Sequence, residues 1–185
     1  MRAFSEVNLI KKEIENQRSV IWRVLTSSTV SVKLFLQNEL LFRAKNLCED
    51  VADLTEEHYK LDDLVQFLLE DIVDYVKRKQ NIKYMHSLFL KFDKSTHNVR
   101  LKHYKNLSDE IKPLYPMNRE KVVDWSKIRL RIERKDVLRL EVLLADMSKV
   151  YADHHFTVER VLEILLIDFV SKYEKGEATK ILRKK

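Results

Sequence analysis

In the stretch KIRLRIERKDVLRLEVLL, Lys127 to Leu144, the residues Lys127, Arg129, Arg131 and Glu133 alternate with Ile128, Leu130 and Ile132. Successive side chains of an extended strand point to opposite faces, so one face collects the charged residues and the other the aliphatic ones. A guanidinium is a rigid, permanently charged fork that binds paired acceptors bidentately, as on the O6/N7 edge of guanine or on a phosphate. From Asp136 onward the apolar residues recur at helical spacing, with no Gly or Pro between the two periods. The chain therefore passes directly from strand to helix.

The same change of period occurs in VSVKLFLQNELLFRAKNL, Val30 to Leu47. With an offset of 96, Val32, Leu34 and Leu36 fall on Ile128, Leu130 and Ile132. Phe42, Leu47, Cys48, Val51 and Leu54 fall on Leu138, Leu143, Leu144, Met147 and Val150, and His58 on His154. With an offset of 97, LVQFLLEDIVDYV lies on VLEILLIDFVSKY. Each copy reads as a strand of about seven residues, an amphipathic helix, a polar break and a second helix. The spacing predicts helices over Glu39 to Leu54 and Leu61 to Lys77, then Lys135 to Tyr151 and Val158 to Tyr173. Asn38 and Asp136 are placed to cap the first helices, Asp62 and Thr157 the second ones.

A lone strand would leave its N–H and C=O groups unpaired, and two copies supply the missing partner. Antiparallel pairing of 30–37 with 127–133 puts Val30, Val32, Leu34, Leu36, Ile128, Leu130 and Ile132 over the four helices. The opposite face then carries Ser31, Lys33, Phe35 and Gln37 beside Lys127, Arg129, Arg131 and Glu133.

Over about 95 of the 185 residues the chain resembles the ribbon-helix-helix family of DNA-binding proteins. The resemblance lies in KIRLRIERKDVLRLEVLL and VSVKLFLQNELLFRAKNL, each followed by a second helix. It implies a tandem pseudo-dimer, both halves of the ribbon being carried by one chain. It also implies base contacts from Lys33, Phe35, Gln37, Arg129, Arg131 and Glu133 in the major groove. There Arg matches guanine, Gln matches adenine, Phe35 meets a thymine methyl or a protein partner, and Glu133 accepts from cytosine N4 or holds an arginine in place. Phosphate contacts are expected from Lys127, Thr157 and Arg160, the last two at the start of a helix whose free amides attract anions. Asp62 and Asp63 stand at the matching place in the first copy and repel phosphate, so any reading is lopsided.

Outside the repeats, residues 1–29 read as an amphipathic helix with Leu9, Ile10, Ile14, Ile21, Val24 and Leu25 on its apolar side. Residues 78–125 form a basic helical linker in which NIKYMHSLFLKF is a helix ending before Asp93. Within it RLKHYKN mixes bases with aromatics, making Arg100, Lys102 and Lys105 further phosphate candidates or a solvated helix face. The units are thus 1–29, 30–77, 78–125 and 126–185, the last with a basic, fraying end, ILRKK. Their net charges are +2, −6, +6 and +4. A polyanion is drawn to the linker and the last unit ahead of the acidic first one.

Composition bounds the class. One Gly and two Pro among 185 residues leave few turn formers for a sheet-rich fold, and 45% hydrophobic residues suffice for a packed core. No apolar run nears the roughly 20 residues of a membrane span. MRAFSEVNLIKKEI carries acids, unlike a secretory leader, and the one cysteine, Cys48, suits a reducing compartment. The expected location is cytoplasmic.

Asp153, His154 and His155, with His58 equivalent to His154, lack the three or four ligands at defined spacing that a metal requires. Cys48 lies on a core stripe, where thiols are inert, and there is no glycine-rich phosphate loop. No catalytic residue, metal or cofactor is assigned. The expected fold is mainly α with one short two-stranded antiparallel ribbon and extra N-terminal and linker helices. The expected function is sequence-specific binding of double-stranded DNA as a transcriptional regulator and repressor, with a homodimer through the N-terminal or linker helices as a further partnership. The alternatives are a helical protein-interaction scaffold and, on RLKHYKN, RNA binding.

Overall fold

The computed structural model describes residues 2–16, 27–79, 81–105 and 124–176, with the side chains of 79 and 94–105 left aside. Among these residues the fold is mainly helical with one two-stranded antiparallel sheet. The order is α1 (Leu9–Asn16), β1 (Thr29–Gln37), α2 (Asn38–Thr55), α3 (Leu61–Lys79), α4 (Ile82–Lys105), β2 (Trp125–Glu133), α5 (Arg134–Val150) and α6 (Val158–Glu174).

β1 and β2 pair along their whole length, and Lys33 lies opposite Arg129, the residue an offset of 96 assigns to it. On either side Ser31 faces Arg131 and Phe35 faces Lys127, which are equivalent pairs under the same offset. The ladder therefore has an approximate two-fold axis through Lys33 and Arg129. Its two ends match as well: Arg134 N–H donates to Ser28 C=O at 2.8 Å, and Asn38 N–H to Asp124 C=O at 2.9 Å.

These two bonds explain why Asn38 and Asp136 do not cap α2 and α5. Each helix follows its strand without a break, and the opposite strand supplies the partner for the first helical amide. Gln37 and Glu133 stand at the cap positions with no side-chain cap bond. Thr157 does cap α6, its Oγ1 accepting from Arg160 N–H at 3.2 Å. Asp62 does not cap α3: Lys60 C=O accepts from Leu64 N–H at 3.1 Å, and Asp63 reaches back to Lys60 N–H at 2.8 Å.

The aliphatic face of the ribbon rests on one core. Val32, Leu34, Leu36, Leu130 and Ile132 are buried, while Val30 and Ile128 are half-buried against the core. Burying each such side chain contributes ~1.5–3 kcal/mol. α6 is the central helix, and its buried residues, which include Glu163, Ile164 and Val170 as well as Val161, Leu162 and Phe169, cover most of its circumference. α3 packs on β2 and α6 on β1, so each second helix supports the strand of the other copy.

Side chains of those helices also close the edges of the ribbon. Phe35 N–H donates to Glu163 Oε1 at 2.9 Å, Arg131 N–H to Asp62 Oδ2 at 3.2 Å, and Glu133 N–H to Gln66 Oε1 at 3.0 Å. An edge amide satisfied in this way no longer templates another strand. Asp62 thus serves β2, and Gln66 is tied in turn to buried Asp136 at 2.9 Å.

Other departures from the sequence expectation have local causes. Among the described residues the N-terminal helix covers Leu9–Asn16, and residues 2–8 before it form an irregular arm; Ile21, Val24 and Leu25 lie outside the described residues. α4 does not stop before Asp93 but continues to Lys105, and the Asp93 carboxylate is engaged from α6 and the preceding break. Phe42 and Leu54, aligned with the core stripe by the repeat, are 64% and 82% exposed. IKPLYPMNREK and ILRKK fall outside the described residues.

His154 sits in the break before α6, buried between Phe4 and Phe156. Its Nδ1 accepts from Phe156 N–H at 3.3 Å, and its Nε2, 3.0 Å from Leu144 C=O, must carry the hydrogen. That is a neutral ring. Burial lowers its pKa from the ordinary 6.5, outweighing the Leu144 carbonyl, which favours the charged form. Burial lowers His86 as well. The unfolded chain binds these protons more readily, so this stability is complete above about pH 6.5 and is lost as pH falls below it. The Tm is expected to fall between about pH 7.5 and about pH 5.5, with a shallower dependence in His154→Gln. Parallel Tm against pH curves for the two proteins would refute a neutral buried His154.

Candidate nucleic-acid interface

The outer face of the ribbon carries three residues from each strand around the two-fold axis: Ser31, Lys33 and Phe35 from β1, and Lys127, Arg129 and Arg131 from β2. The geometry is symmetric, and the chemistry is not. Ser31, Phe35, Lys127, Arg129 and Arg131 are exposed and Lys33 is half-buried. Gln37 and Glu133 lie at opposite ends, facing Trp125 and Thr29.

Arg43, Arg134, Arg139 and Arg160 each pair with a carboxylate. Among the described residues no carboxylate pairs with Arg129 or Arg131. Among the described residues Glu133 holds no arginine; it pairs with Lys135 at 2.5 Å, and its hydrogen bond and negative charge raise the lysine's pKa. Two guanidinium forks at adjacent outward positions are thus open to an external acceptor.

The opposite quadrant is partly occupied. Lys127 Nζ stands 5.2 Å from the Phe35 ring centroid, a cation–π distance. Lys33 Nζ donates to Glu6 Oε2 at 2.6 Å. The hydrogen bond from Lys33 holds the Glu6 carboxyl below the usual range, against a small opposing effect of burial and with added attraction from Lys33 and Lys127. Glu6 is a site residue that sequence reasoning missed.

Comparison of the chain with protein-family models, with curated proteins and with solved structures finds no match in any of the three.

The two second-helix starts differ from the anion-binding arrangement expected of them. At α6, Val158 N–H donates to Phe4 C=O at 2.8 Å and Thr157 Oγ1 is used on Arg160 N–H. The Arg160 side chain is turned inward: Nε lies 2.9 Å and a terminal nitrogen 2.5 Å from Asp93 Oδ1, and the other terminal nitrogen 3.1 Å from Glu163 Oε2. With 15% of its side chain exposed, Arg160 links α4, α6 and the edge of β1. Burial acts to raise the Asp93 pKa, but the hydrogen bonds from Arg160 and His155 together outweigh it and hold the carboxyl below its ordinary value. At α3 the first turn carries Asp62 and Asp63. At α6 the first amide and the arginine are already engaged, and at α3 the two carboxylates repel phosphate.

Arg100, Lys102 and Lys105 fall on the last turns of α4, and their side chains lie outside the described residues. Of the phosphate candidates, Lys127 is the one the structure places on the ribbon face. No group of three or more metal-ligating side chains occurs among the described residues, and His58 is exposed while His154 is buried. Burial, with Asp63 and Glu49 nearby, pushes the Cys48 thiol up to about 11, which keeps it protonated and unreactive. Among the described residues no helix is long and apolar enough to cross a membrane.

Trp125 is also an outward residue that sequence reasoning left out of the site, and extending the second alternating run by two positions would have found it. Ser31, already placed on the outward face, was assigned no contact. For Glu6 no such signal exists, since the arm that carries it has no period of its own.

Proposed function

We propose that the chain is a tandem ribbon-helix-helix pseudo-dimer that binds double-stranded DNA in a sequence-specific way and acts as a transcriptional regulator. The observation that carries this reading is the pair of exposed guanidinium groups, Arg129 and Arg131, at adjacent outward positions of a two-stranded ribbon and without a carboxylate partner among the described residues. A ribbon of this width enters the major groove, where such forks read guanine. The near two-fold ladder supports the kinship with the family, and the different residues on its two halves imply an asymmetric target. Affinity would come from the free cations of the ribbon and of the basic segments, and would fall with salt.

The test is selection of bound sequences from random duplex DNA, followed by titration of the selected site over a range of salt. A shared asymmetric motif containing guanines, bound with a linear dependence of log K on log salt, is expected. Absence of any salt-dependent duplex binding would overturn the reading. The second reading, a protein-interaction role, would then take its place. It is favoured by Phe35 and Trp125, 45% and 42% exposed, which line a cleft of about 190 Å³ with Leu40 and Ile167.

A further inference from the structure

The arm formed by residues 2–8 is bound at several points, and its course ends on the face just described. The Phe4 ring is buried and stacks on His154 at 5.9 Å, and the Phe4 carbonyl accepts from Val158 N–H, the first amide of α6. The Ser5 hydroxyl donates to Glu141 and accepts from Asn8 N–H at 2.9 Å. Glu6 N–H donates to Glu159 Oε1 at 2.7 Å. Held from both sides, the Glu6 side chain is delivered to Lys33, the β1 residue on the two-fold axis of the ribbon.

This ion pair has little to do for the fold. Half of the Glu6 side chain and 35% of that of Lys33 are exposed, and exposed pairs contribute little to stability. Its consequence lies in the electrostatics of the outer face. A carboxylate there competes directly with any DNA acceptor for Lys33 and repels the phosphates on either side. The same arm fills, with the Phe4 carbonyl, the amide that an anion at the start of α6 would use.

We propose that Phe4 to Glu6 form an inhibitory strap on the ribbon: Glu6 neutralises Lys33 and the Phe4 carbonyl closes the start of α6, so that a duplex engages fully only when Glu6 leaves Lys33. The proposal rests on the DNA-binding reading and adds regulation to it. Because the pair is exposed, the strap attenuates binding and does not abolish it.

The test compares the wild-type chain with E6Q, K33M and E6Q/K33M on one random-sequence duplex and on the selected site with its single-position variants, over a range of salt. E6Q keeps the backbone bonds of the arm and removes the charge. At low salt it is expected to bind about tenfold more tightly, with a slope of log K against log salt steeper by about 0.9, the value for one additional phosphate contact. K33M is expected to weaken binding in the wild-type background, because it leaves the Glu6 carboxylate unneutralised on the ribbon, and to remove the whole gain in the E6Q background, returning affinity and slope to about the wild-type level. Equal affinity and slope for wild type and E6Q would overturn the strap and leave the DNA reading standing. Weaker binding by E6Q, with altered preference at one position of the selected site, would make Glu6 a base-reading residue and overturn the strap as well. If no variant binds duplex in a salt-dependent way, the DNA reading falls and takes the strap with it.

Discussion

Replacing Arg129 and Arg131 together with alanine is expected to lower affinity for a selected DNA site by roughly 30-fold to 10⁴-fold, each bidentate guanine contact being worth ~1–3 kcal/mol. The two side chains are exposed and, among the described residues, hold no carboxylate, so stability should change by no more than about 0.5 kcal/mol. The diagnostic quantity is the ratio of selected to random duplex affinity, measured on the same preparations. In the proposed mode that ratio collapses toward one. Were the arginines on phosphates instead, affinity for all sequences would fall together and the salt slope would become shallower by about two. A double variant with an unchanged ratio and a normal fold would sink the ribbon as the reading element. Arg129→Ala alone should relax a position near the centre of the site and Arg131→Ala one further out, because Arg129 lies opposite Lys33 on the axis and Arg131 opposite Ser31.

That the ribbon could be drawn from the sequence at all follows from how local its signal is. Alternation over Val30 to Gln37 and Lys127 to Glu133, turning into helical spacing without a Gly or Pro, specifies strand, face and helix start within a few residues of chain. The observed α2 and α5, Asn38–Thr55 and Arg134–Val150, lie within one residue of the expected bounds. Misassignment begins wherever the deciding partner is remote. Asn38 and Asp136 look like caps because nothing nearby reveals that Asp124 and Ser28 carbonyls wait on the opposite strand. Arg160 looks like a phosphate ligand because Asp93, 67 positions away, has no pattern that announces it. Lys33 looks free for the same reason, its acid lying 27 positions away on an irregular arm. Sequence period shows which face a residue occupies, but not whether another part of the chain already holds it.

Glu141 is the residue whose loss should cost the most stability, and the reason is again a remote partnership. It lies on α5 and is 1% exposed, yet it carries a carboxylate into the core. Leu9 N–H donates to its Oε1 at 3.0 Å, Ile10 N–H to its Oε2 at 2.8 Å, and the Ser5 hydroxyl to Oε1. A carboxylate at the first amides of α1 satisfies donors that a helix start leaves open and meets the positive end of its dipole. Glu141→Ala removes all three acceptor contacts at a buried place, where each orphaned donor costs ~1–3 kcal/mol. α1 can relieve part of that by undocking and letting water reach the amides, so a loss of ~2–4 kcal/mol is expected. Glu141→Gln should fall between, because its amide nitrogen cannot accept from a helix amide. Chemical denaturation gives the total. Hydrogen exchange locates it: the Leu9 and Ile10 amides should lose protection in Glu141→Ala while those of α6 keep most of theirs. Unchanged stability together with unchanged exchange at Leu9 and Ile10 would show that α1 is held by its apolar side alone. Since Ser5 is anchored on Glu141 next to Glu6, undocking α1 should also release Lys33, and Glu141→Ala should then reproduce the steeper salt dependence expected of E6Q.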